Sequence, residues 1–359
     1  MTGLSKICGR QQSPEAREAM LWQRAEDKKV RCNLCAHRCL VREGKRGICG
    51  VRENREGTLH TLVYGRTIAQ HLDPVEKKPL FHFHPGTTAF SVATAGCNLR
   101  CKFCQNWEIS QTPREEHLIR GRPASPADLV DTALRMGARS IAYTYTEPTV
   151  FAEYAVDTAI LAHEAGLANV FVTNGYMTPE LLEVLGARSE GGVPLLDAAN
   201  VDLKAGRGEF YHQMCGASLE PVLKNLCLMR ELGIWLEVTT LVIPGLNDSD
   251  EEMRWVADFI VRELGEDVPW HVSRFHPQYL MTDVPPTAER VLQRAWDIGR
   301  EAGLRYVYVG NLPGRGREDT ICHHCGETTI KRLGYQTLRY HIADGQCGRC
   351  GTPVEGVGM

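Results

Sequence analysis

The sequence predicts an α/β fold: a partial TIM-like barrel of six or seven βα units, preceded by an N-terminal cysteine-rich metal segment and followed by a C-terminal zinc-ribbon-like module. Three observations predict it. Between residues 86 and 311, β-rich apolar runs alternate with helical patterns, which is typical of a parallel sheet with helices outside. Polar residues follow most of these runs. All but three of the 14 cysteines fall in three short groups.

The alternating region supplies the elements of the barrel. Strands are expected at 89–94, 140–145, 168–172, 198–203, 235–242, 270–275 and 305–309. Helices are expected near 126–136, 149–165, 179–187, 219–232, 250–264 and 287–302. Ser125-Pro126 and Thr178-Pro179 each place an N-cap residue before a proline that suits the first helical position. Ser249 precedes three acidic residues, which favour a helix N-terminus.

Polar side chains at the ends of the strands decide between a barrel and an open doubly wound sheet. An open sheet concentrates such groups near one switch point, whereas a βα barrel receives them from the carboxyl end of every strand. Here they follow six of the seven runs, so a partial barrel is favoured. They are Glu147, Asn174, Asp202, Lys204, Thr239, Thr240, Arg274, His276 and Asn311.

Three domains are expected. Residues 1–70 hold an N-terminal helix, Pro14 to Ala25, and a cysteine-rich metal-binding segment. Residues 71–315 form the partial barrel, and residues 316–359 form a metal module of the zinc-ribbon or rubredoxin type.

Composition limits the class of protein. The net charge of −3 supplies no global basic field for nucleic acid. The sequence has no run of about 20 apolar residues to cross a membrane, and its start lacks the apolar core of a signal peptide. A cytoplasmic protein is therefore expected. The even number of cysteines permits disulfides, but a reducing compartment and the short spacings favour metal sites.

The central cysteine group is the most informative. Cys97, Cys101 and Cys104 have the spacing C-x3-C-x2-C, with Phe103 before the third cysteine. Three thiolates this close can bind three of the four irons of an iron–sulfur cube. The fourth iron is then open to a substrate or cofactor, so these cysteines are the candidate catalytic residues.

This motif and the βα series after it resemble the radical S-adenosylmethionine (SAM) superfamily, over roughly residues 75–311. The resemblance implies a [4Fe–4S] cluster at Cys97, Cys101 and Cys104, whose open iron is chelated by SAM. It also implies reductive cleavage of SAM to a 5′-deoxyadenosyl radical that takes a hydrogen from substrate, with a reductant such as flavodoxin or ferredoxin.

The resemblance also assigns cofactor contacts. The run from Tyr143 to Pro148 stands where the family has Gly-Gly-Glu-Pro, so Glu147 should accept from the SAM ammonium. The two glycines are absent here, which affects the main-chain contacts expected at Tyr145 and Thr146. The Asp-x-Lys segment of the activating enzymes of pyruvate formate-lyase matches Asp202 and Lys204. The predicted cofactor-binding set is Phe103, Glu147, Asn174, Asp202, Lys204 and His276.

A longer resemblance covers nearly residues 27–359. The run from Asp73 to Gly86 and the two cysteine-rich flanks resemble AmmeMemoRadiSam-type radical SAM proteins, relatives of the activating enzymes. This implies association with Memo-like and AMMECR1-like proteins. Lys77, Lys78, His82 and His84 either line the radical cavity or belong to a solvated strand of alternating polarity.

Two further cysteine groups predict metal sites. Cys322, Cys325, Cys347 and Cys350 form paired C-x2-C motifs around a hairpin expected at Gly334, which favours structural zinc over rubredoxin-like iron. Cys32, Cys35, Cys39 and Cys49 nearly repeat the central motif. For them zinc is the first choice and an auxiliary iron–sulfur cluster the second.

Other readings stay open at this point. An RNA-modifying radical SAM enzyme would dock through the ribbon and through arginines of the head, Arg31, Arg38, Arg42 and Arg46, although acidic residues offset much of this charge. A non-catalytic scaffold or electron carrier would need no polar cavity. Of the lone cysteines, Cys227 is expected to be buried and inert, and Cys215 is a candidate hydrogen donor to a substrate radical.

Overall fold

The computed structural model describes residues 17–188, 192–312, 314 and 317–359. Cys8 and the first part of the expected N-terminal helix, from Pro14, lie outside the described residues, as does the expected domain boundary at 315–316. No helix within the described part of the chain is both long and apolar enough to span a bilayer.

One eight-stranded sheet organises the barrel region. Its strands are β1 (Ala69–Pro74), β2 (Thr88–Ala93), β3 (Ser140–Tyr143), β4 (Ala168–Thr173), β5 (Ala198–Asp202), β6 (Trp235–Val242), β7 (Trp270–Arg274) and β8 (Val307–Gly310). Each strand pairs with its neighbours in sequence, and all pairs are parallel except β1 with β2. In the described residues β1 and β8 do not pair, so the sheet is open. This is the strand progression of a partial barrel, as predicted, without the order reversal of a doubly wound sheet.

Six helices connect the parallel strands: α1 (Pro126–Arg135), α2 (Ala152–Glu164), α3 (Pro179–Leu185), α4 (Glu220–Glu231), α5 (Asp250–Phe259) and α6 (Glu289–Glu301). The predicted caps are present. Ser125 and Asp128 form a capping box on α1, Thr178 accepts from the main chain at Leu181, and Ser249 accepts from the main chain at Glu252. These bonds satisfy donors that the first turn leaves free, which fixes where each helix begins.

Several shorter helical turns complete the connections. A 3-10 turn, Pro148–Phe151, leads into α2, and a π turn, Ile260–Leu264, extends α5. Between β2 and α1 lie Trp107–Ser110 and Thr112–Glu115, and after β5 lies Gly208–Phe210, which continues as Tyr211–Cys215. Val75–Lys77 is a 3-10 turn after β1.

The expected N-terminal helix is wrong in its described part. Arg17–Glu18 and Trp22–Arg24 are strands, because their main chain pairs with Thr58–Thr61 and with Val30–Cys32. The segment has no apolar stripe that could hold a helix against the core, so sheet pairing prevails. The other head strands are Leu40–Val41, Arg52–Arg55 and Arg66–Thr67, the last paired with Arg122–Pro123.

The head packs directly on the barrel. Arg52 and Glu153 form a buried ion pair of 2.9 Å between the head and α2. The hydroxyl of Thr178, the cap of α3, donates to the carbonyl of Asn33 at 2.8 Å. A tertiary interface with this much buried polar contact holds residues 17–70 in a fixed position against the sheet.

The C-terminal module contains the predicted hairpin. Its strands Thr328–Leu333 and Gln336–Tyr340 pair on either side of Gly334, and Thr320–Ile321 extends the same sheet. Ile342–Ala343 and Gln346–Cys347 form a second, two-stranded sheet. The module docks on the segment after β1, where Val357 exchanges main-chain hydrogen bonds with His82 and His84.

The segment after β1 is a buried loop and not the solvated strand considered above. A carboxylate on β6, Glu237, holds it. Glu237 is buried and accepts from the main chain of Phe81 (3.0 Å) and His82 (2.8 Å), and from the rings of His271 (2.7 Å) and Trp235 (3.2 Å). Burial alone would raise the pKa of Glu237, but the His271 bond and the other donors lower it overall.

We expect Glu237→Gln to destabilise the folded chain by about 1–3 kcal/mol at neutral pH, because an amide cannot satisfy the same four donors. The folded-state pKa of Glu237 is lowered, so its contribution is present above the unfolded pKa and is lost as the pH falls through the folded pKa. The difference from the wild type should therefore shrink below about pH 4. Anaerobic urea unfolding at neutral pH and below about pH 4 measures the stability difference between the two proteins. Glu183→Gln, at an exposed site on α3, is the control. Equal stability of wild type and Glu237→Gln at neutral pH would contradict the assignment.

Candidate active site

A cavity of about 330 Å³ opens at the carboxyl ends of the parallel strands. It is lined by the three candidate catalytic cysteines and by five of the six predicted cofactor-binding residues: Cys97, Cys101, Cys104, Phe103, Glu147, Asn174, Asp202 and Lys204. A larger cavity, about 880 Å³, lies at the amino ends of β3 to β5, around Arg139 and His163, and holds no cysteine. The catalytic and cofactor-binding residues predicted from the sequence, except His276, thus lie around the smaller cavity.

The cysteine loop follows β2 and is pinned from behind. The main chain of Arg100 donates to the carbonyl of Cys215 at 2.8 Å, and that of Lys102 donates to Met214 at 3.0 Å. The three sulfurs are free thiols, and they do not lie close enough together to surround a single ion. That spacing suits a cluster in which each thiolate binds a different iron.

Cys215 is not part of the cavity lining. It is buried behind Cys101, and its thiol donates a hydrogen bond that lowers the pKa of Cys101. The structure therefore places Cys215 next to Cys101 and outside the cavity lining. Cys227 is partly buried on α4.

Glu147 is the buried acid of the site. Its Oε1 accepts from the main chain (3.0 Å) and hydroxyl (2.6 Å) of Thr149 and from the hydroxyl of Thr173 (2.7 Å), and its Oε2 accepts from the main chain of Asn174 (2.8 Å). Oε1 thus accepts three bonds and Oε2 only one, so Oε2 is the oxygen that can accept a further donor. Burial raises the pKa of Glu147 despite these four bonds. A cation in the cavity would offset that penalty.

Asn174 uses its side chain within the protein. Its Nδ2 donates to Asn98 Oδ1 at 2.8 Å and lies 3.8 Å from the sulfur of Cys97, and its Oδ1 accepts from the main chain of Tyr176 at 2.9 Å. Asn174 thus orients the loop that carries Cys97. Asn174 lines the same cavity as the cysteines, and its contacts with Asn98 and Cys97 were not predicted from the sequence.

Lys204 brings positive charge next to the cysteines. Its Nζ is paired with Asp202 at 2.9 Å and lies 5.8 Å from the centre of the Phe103 ring. Burial would lower the pKa of Lys204, but Asp202 and the nearby thiol of Cys101 raise it overall. The ammonium therefore stays charged and can meet a carboxylate in the cavity.

His276 is the predicted cofactor-binding residue that the structure does not bring into this cavity. It is exposed and lines a neighbouring depression with Gln278 and Tyr335. The two spaces share Gln105 and Asn311 on their walls. His276 follows β7, but the chain turns outward at this point. The presence of a polar residue at a strand end does not reveal such a turn from the sequence.

Tyr145 stands at one of the two positions where the family resemblance predicts glycine. Its φ of 63° lies in the left-handed region, which glycine adopts most readily. Its carbonyl accepts from Asn106 at 2.8 Å, and its hydroxyl donates to Asp73. These contacts hold a strained main chain at the cavity wall.

Asp73 lies behind the cavity wall and binds three residues of that wall, Lys77, Lys78 and Tyr145, which the sequence analysis did not predict. It is buried at the end of β1 and accepts from Lys77 (2.8 Å), Lys78 (2.7 Å) and the Ser91 hydroxyl (2.8 Å), besides Tyr145. These donors lower its pKa, although burial opposes them. The spacing of an acid four and five residues before two lysines was the available signal.

The run from Lys77 to His84 divides between two locations. Lys77 and Lys78 line the cavity, as one of the two readings predicted. His82 is buried at the opposite side, between the carbonyl of Glu355 (2.6 Å) and the hydroxyl of Tyr308 (2.6 Å). His84 lines the larger cavity at the amino ends of the strands. Neither histidine belongs to the cysteine cavity.

The C-terminal cysteines form a compact group. The sulfurs of Cys322, Cys325, Cys347 and Cys350 all lie within 4.8 Å of one another, which suits a single metal ion. Cys32, Cys35, Cys39 and Cys49 also come together in the head, as free thiols, but with a wider spacing than this.

Comparisons with known proteins agree with this geometry. The sequence model of the radical SAM superfamily matches residues 91–256. The uncharacterized protein MJ0808 of Methanocaldococcus jannaschii is 43% identical over 341 residues, spanning 94% of this chain and 99% of that protein. A pyruvate formate-lyase-activating enzyme of Clostridium pasteurianum is 24% identical over 186 residues, spanning 49% of this chain and 72% of that protein.

A solved structure shares the fold. A radical SAM methyltransferase from Sphaerobacter thermophilus superposes with a TM-score of 0.50 at 16% identity, covering 63% of this chain and 67% of that one. The family implies a [4Fe–4S] cluster and SAM, for which the cysteine cavity has suitable ligands. The chain belongs to the radical SAM superfamily.

Proposed function

We propose that this protein is a radical SAM enzyme that reductively cleaves SAM to a 5′-deoxyadenosyl radical and uses it to abstract hydrogen from a substrate. The observation that carries the proposal is the shared cavity. It combines three thiols suited to three irons with a buried acid and a buried lysine that match the two charged groups of an amino acid.

Each residue has a defined task in this proposal. Cys97, Cys101 and Cys104 hold the cluster, which supplies the electron for cleavage of the SAM sulfonium when both are bound. The spare acceptor on Glu147 Oε2 takes the SAM ammonium. Lys204 attracts the carboxylate of SAM. Phe103 and the buried walls exclude water from the reacting centre.

Lys77 and Lys78, which line the cavity, favour a substrate that carries an anionic group. Two ammonium groups face one carboxylate, Asp73, which leaves a net positive charge at this edge of the cavity. The substrate and product are otherwise undefined.

The alternative functions find less support. A carrier of electrons needs no polar cavity beside its cluster. Two of the four arginines proposed for RNA docking are engaged in ion pairs, Arg38 with Glu180 at 2.7 Å and Arg46 with Glu53 at 3.0 Å. Flavodoxin or ferredoxin as reductant, and Memo-like and AMMECR1-like partners, are proposed from the sequence resemblance alone.

For the C-terminal module we propose a structural zinc ion. The sulfurs of Cys322 and Cys350, and those of Cys325 and Cys347, are each 3.7 Å apart. Tetrahedral zinc with bonds of about 2.3 Å places its sulfurs about 3.8 Å apart. With all four positions filled, such an ion supports folding and leaves no position for catalysis.

The first test is SAM cleavage. The reconstituted protein, reduced anaerobically and given SAM, should release 5′-deoxyadenosine even without substrate, as measured by liquid chromatography and mass spectrometry. Cys101→Ala should abolish release, because the cluster loses a ligand, whereas Cys227→Ala should retain it. Iron-loaded wild-type protein that releases none would overturn the proposal.

The second test concerns Glu147. Glu147→Gln should weaken SAM binding by roughly 10- to 150-fold, since a hydrogen bond to a charged group contributes about 1.5–3 kcal/mol. Equilibrium binding of labelled SAM to the reconstituted protein measures this, with iron content checked in parallel. Glu183→Gln is the matched control. Unchanged affinity would remove Glu147 from the SAM contacts.

The third test concerns the C-terminal metal. Cys347→Ser should lose one zinc per chain while keeping its catalytic iron, and should expose the module to proteolysis, because the small domain depends on its ion. Metal analysis and limited proteolysis measure both effects, with Cys227→Ser as control. Retention of zinc by Cys347→Ser, or iron in place of zinc in the wild type, would contradict the assignment.

A further inference from the structure

Four cysteines of the head converge although 16 residues separate the first from the last. Antiparallel pairing of Val30–Cys32 with Leu40–Val41 brings Cys32 next to Cys39, whose carbonyl accepts from the Cys32 main chain at 2.9 Å. Cys32, Cys35 and Cys49 are buried and Cys39 is half-buried. All four thiols lie within electrostatic reach of one another.

Main-chain donors already face these sulfurs. The N–H of His37 points to Cys35, that of Ile48 to Cys39, and that of Val51 to Cys49. Main-chain N–H groups aimed at sulfur stabilise thiolates and orient them as metal ligands.

The spacing distinguishes this site from the C-terminal one. The C-terminal sulfurs lie within 4.8 Å of one another, and within the described residues no other group of three or more potential metal ligands is so compact. The head sulfurs do not form a group this compact, which a single tetrahedral ion requires. A cube binds each thiolate at a different iron, so its ligands stand further apart.

Arg52 supplies an independent observation. It is only 1% exposed, and its Nε and Nη1 have no hydrogen-bond partner among the described residues. Its Nη2 donates to the carbonyl of Met20 and pairs with Glu153. The guanidinium lies within electrostatic reach of Cys32, Cys35 and Cys49. Leaving buried donors without acceptors is costly, so an acceptor is expected at this point.

We propose that Cys32, Cys35, Cys39 and Cys49 bind a second [4Fe–4S] cluster, to whose sulfur atoms Arg52 donates hydrogen bonds. All four irons have a protein ligand, so this cluster has no open position for SAM. The assignment reverses the order of preference that ligand type alone gave, in which zinc came first. It holds whether or not the central site cleaves SAM.

The second cluster lies against the catalytic loop. Arg114 donates to the carbonyl of Ile48 at 2.8 Å and to that of Cys97 at 2.9 Å, so one side chain bridges the two sites. A methyl group added at Gly96 would come within 3.3 Å of the carbonyl of Cys49. The two sites share these contacts, so a large change at one would disturb the other. The test therefore replaces Cys97, Cys101 and Cys104 by serine, which is similar in size.

The test uses full-length C97S/C101S/C104S protein, reconstituted anaerobically with iron, sulfide and zinc. It should retain about four irons and four sulfides per chain, with the absorbance and reduced-state electron paramagnetic resonance (EPR) signal of a [4Fe–4S] cluster. Wild type should hold about twice as much iron. Iron-free protein with two zinc ions, or with one zinc and no second metal, would overturn the proposal.

Two further variants keep the test decisive. Adding Cys39→Ser to the triple variant should remove the remaining iron while leaving zinc and the circular dichroism spectrum unchanged; retained iron would contradict the ligand set. Arg52→Met in the triple variant should lower the reduction potential of the head cluster, because a donor and a positive charge are lost. An unchanged potential would exclude Arg52 as its donor.

Discussion

Seven parallel strands end at one edge of a single sheet, and this common direction decides where the chemistry of the protein lies. The cysteine loop follows β2, Glu147 follows β3, Asn174 follows β4, and Lys204 follows β5. These residues are far apart in sequence, yet the sheet delivers them to one cavity. The burial and the partners of Glu147 and Lys204 follow from this placement, because other strands supply residues around each of them.

The two flanking modules are built onto the same sheet. The buried pair of Arg52 and Glu153 fixes the head to α2, and Glu237 holds the loop on which the C-terminal module docks. Removing one partner of such buried polar contacts leaves the other unsatisfied, so the modules and the barrel stabilise one another. The cysteine groups at both ends thus lie in modules that bear on the stability of the barrel between them.

Sequence patterns predicted the barrel well, and for physical reasons. Caps at Ser125, Thr178 and Ser249 are local bonds that sequence displays directly, and buried parallel strands appear as apolar runs. The antiparallel strand β1 was missed because it is polar and lies at an edge. The head strands were missed because pairing with distant segments, and not local preference, determines them.

The site was predicted to the extent that its residues follow strand ends. Spacing singled out the three central cysteines, strand position singled out Glu147 and Lys204, and the structure brings all five residues to one cavity. Position could not show that His276 turns outward or that Asn174 serves Cys97. Nor could it show that Asp73, which precedes the cysteine loop in the chain, accepts a hydrogen bond from Tyr145 on the cavity wall. These details depend on tertiary contacts.

The central claim is that one iron of the catalytic cluster is left for SAM. EPR spectroscopy of the reduced protein during SAM titration tests it most directly, in a variant whose head cysteines are replaced so that one cluster contributes. The account predicts a new signal that saturates with SAM and requires far more SAM in Glu147→Gln. A signal that stays unchanged at saturating SAM, from protein with a full cluster, would contradict it.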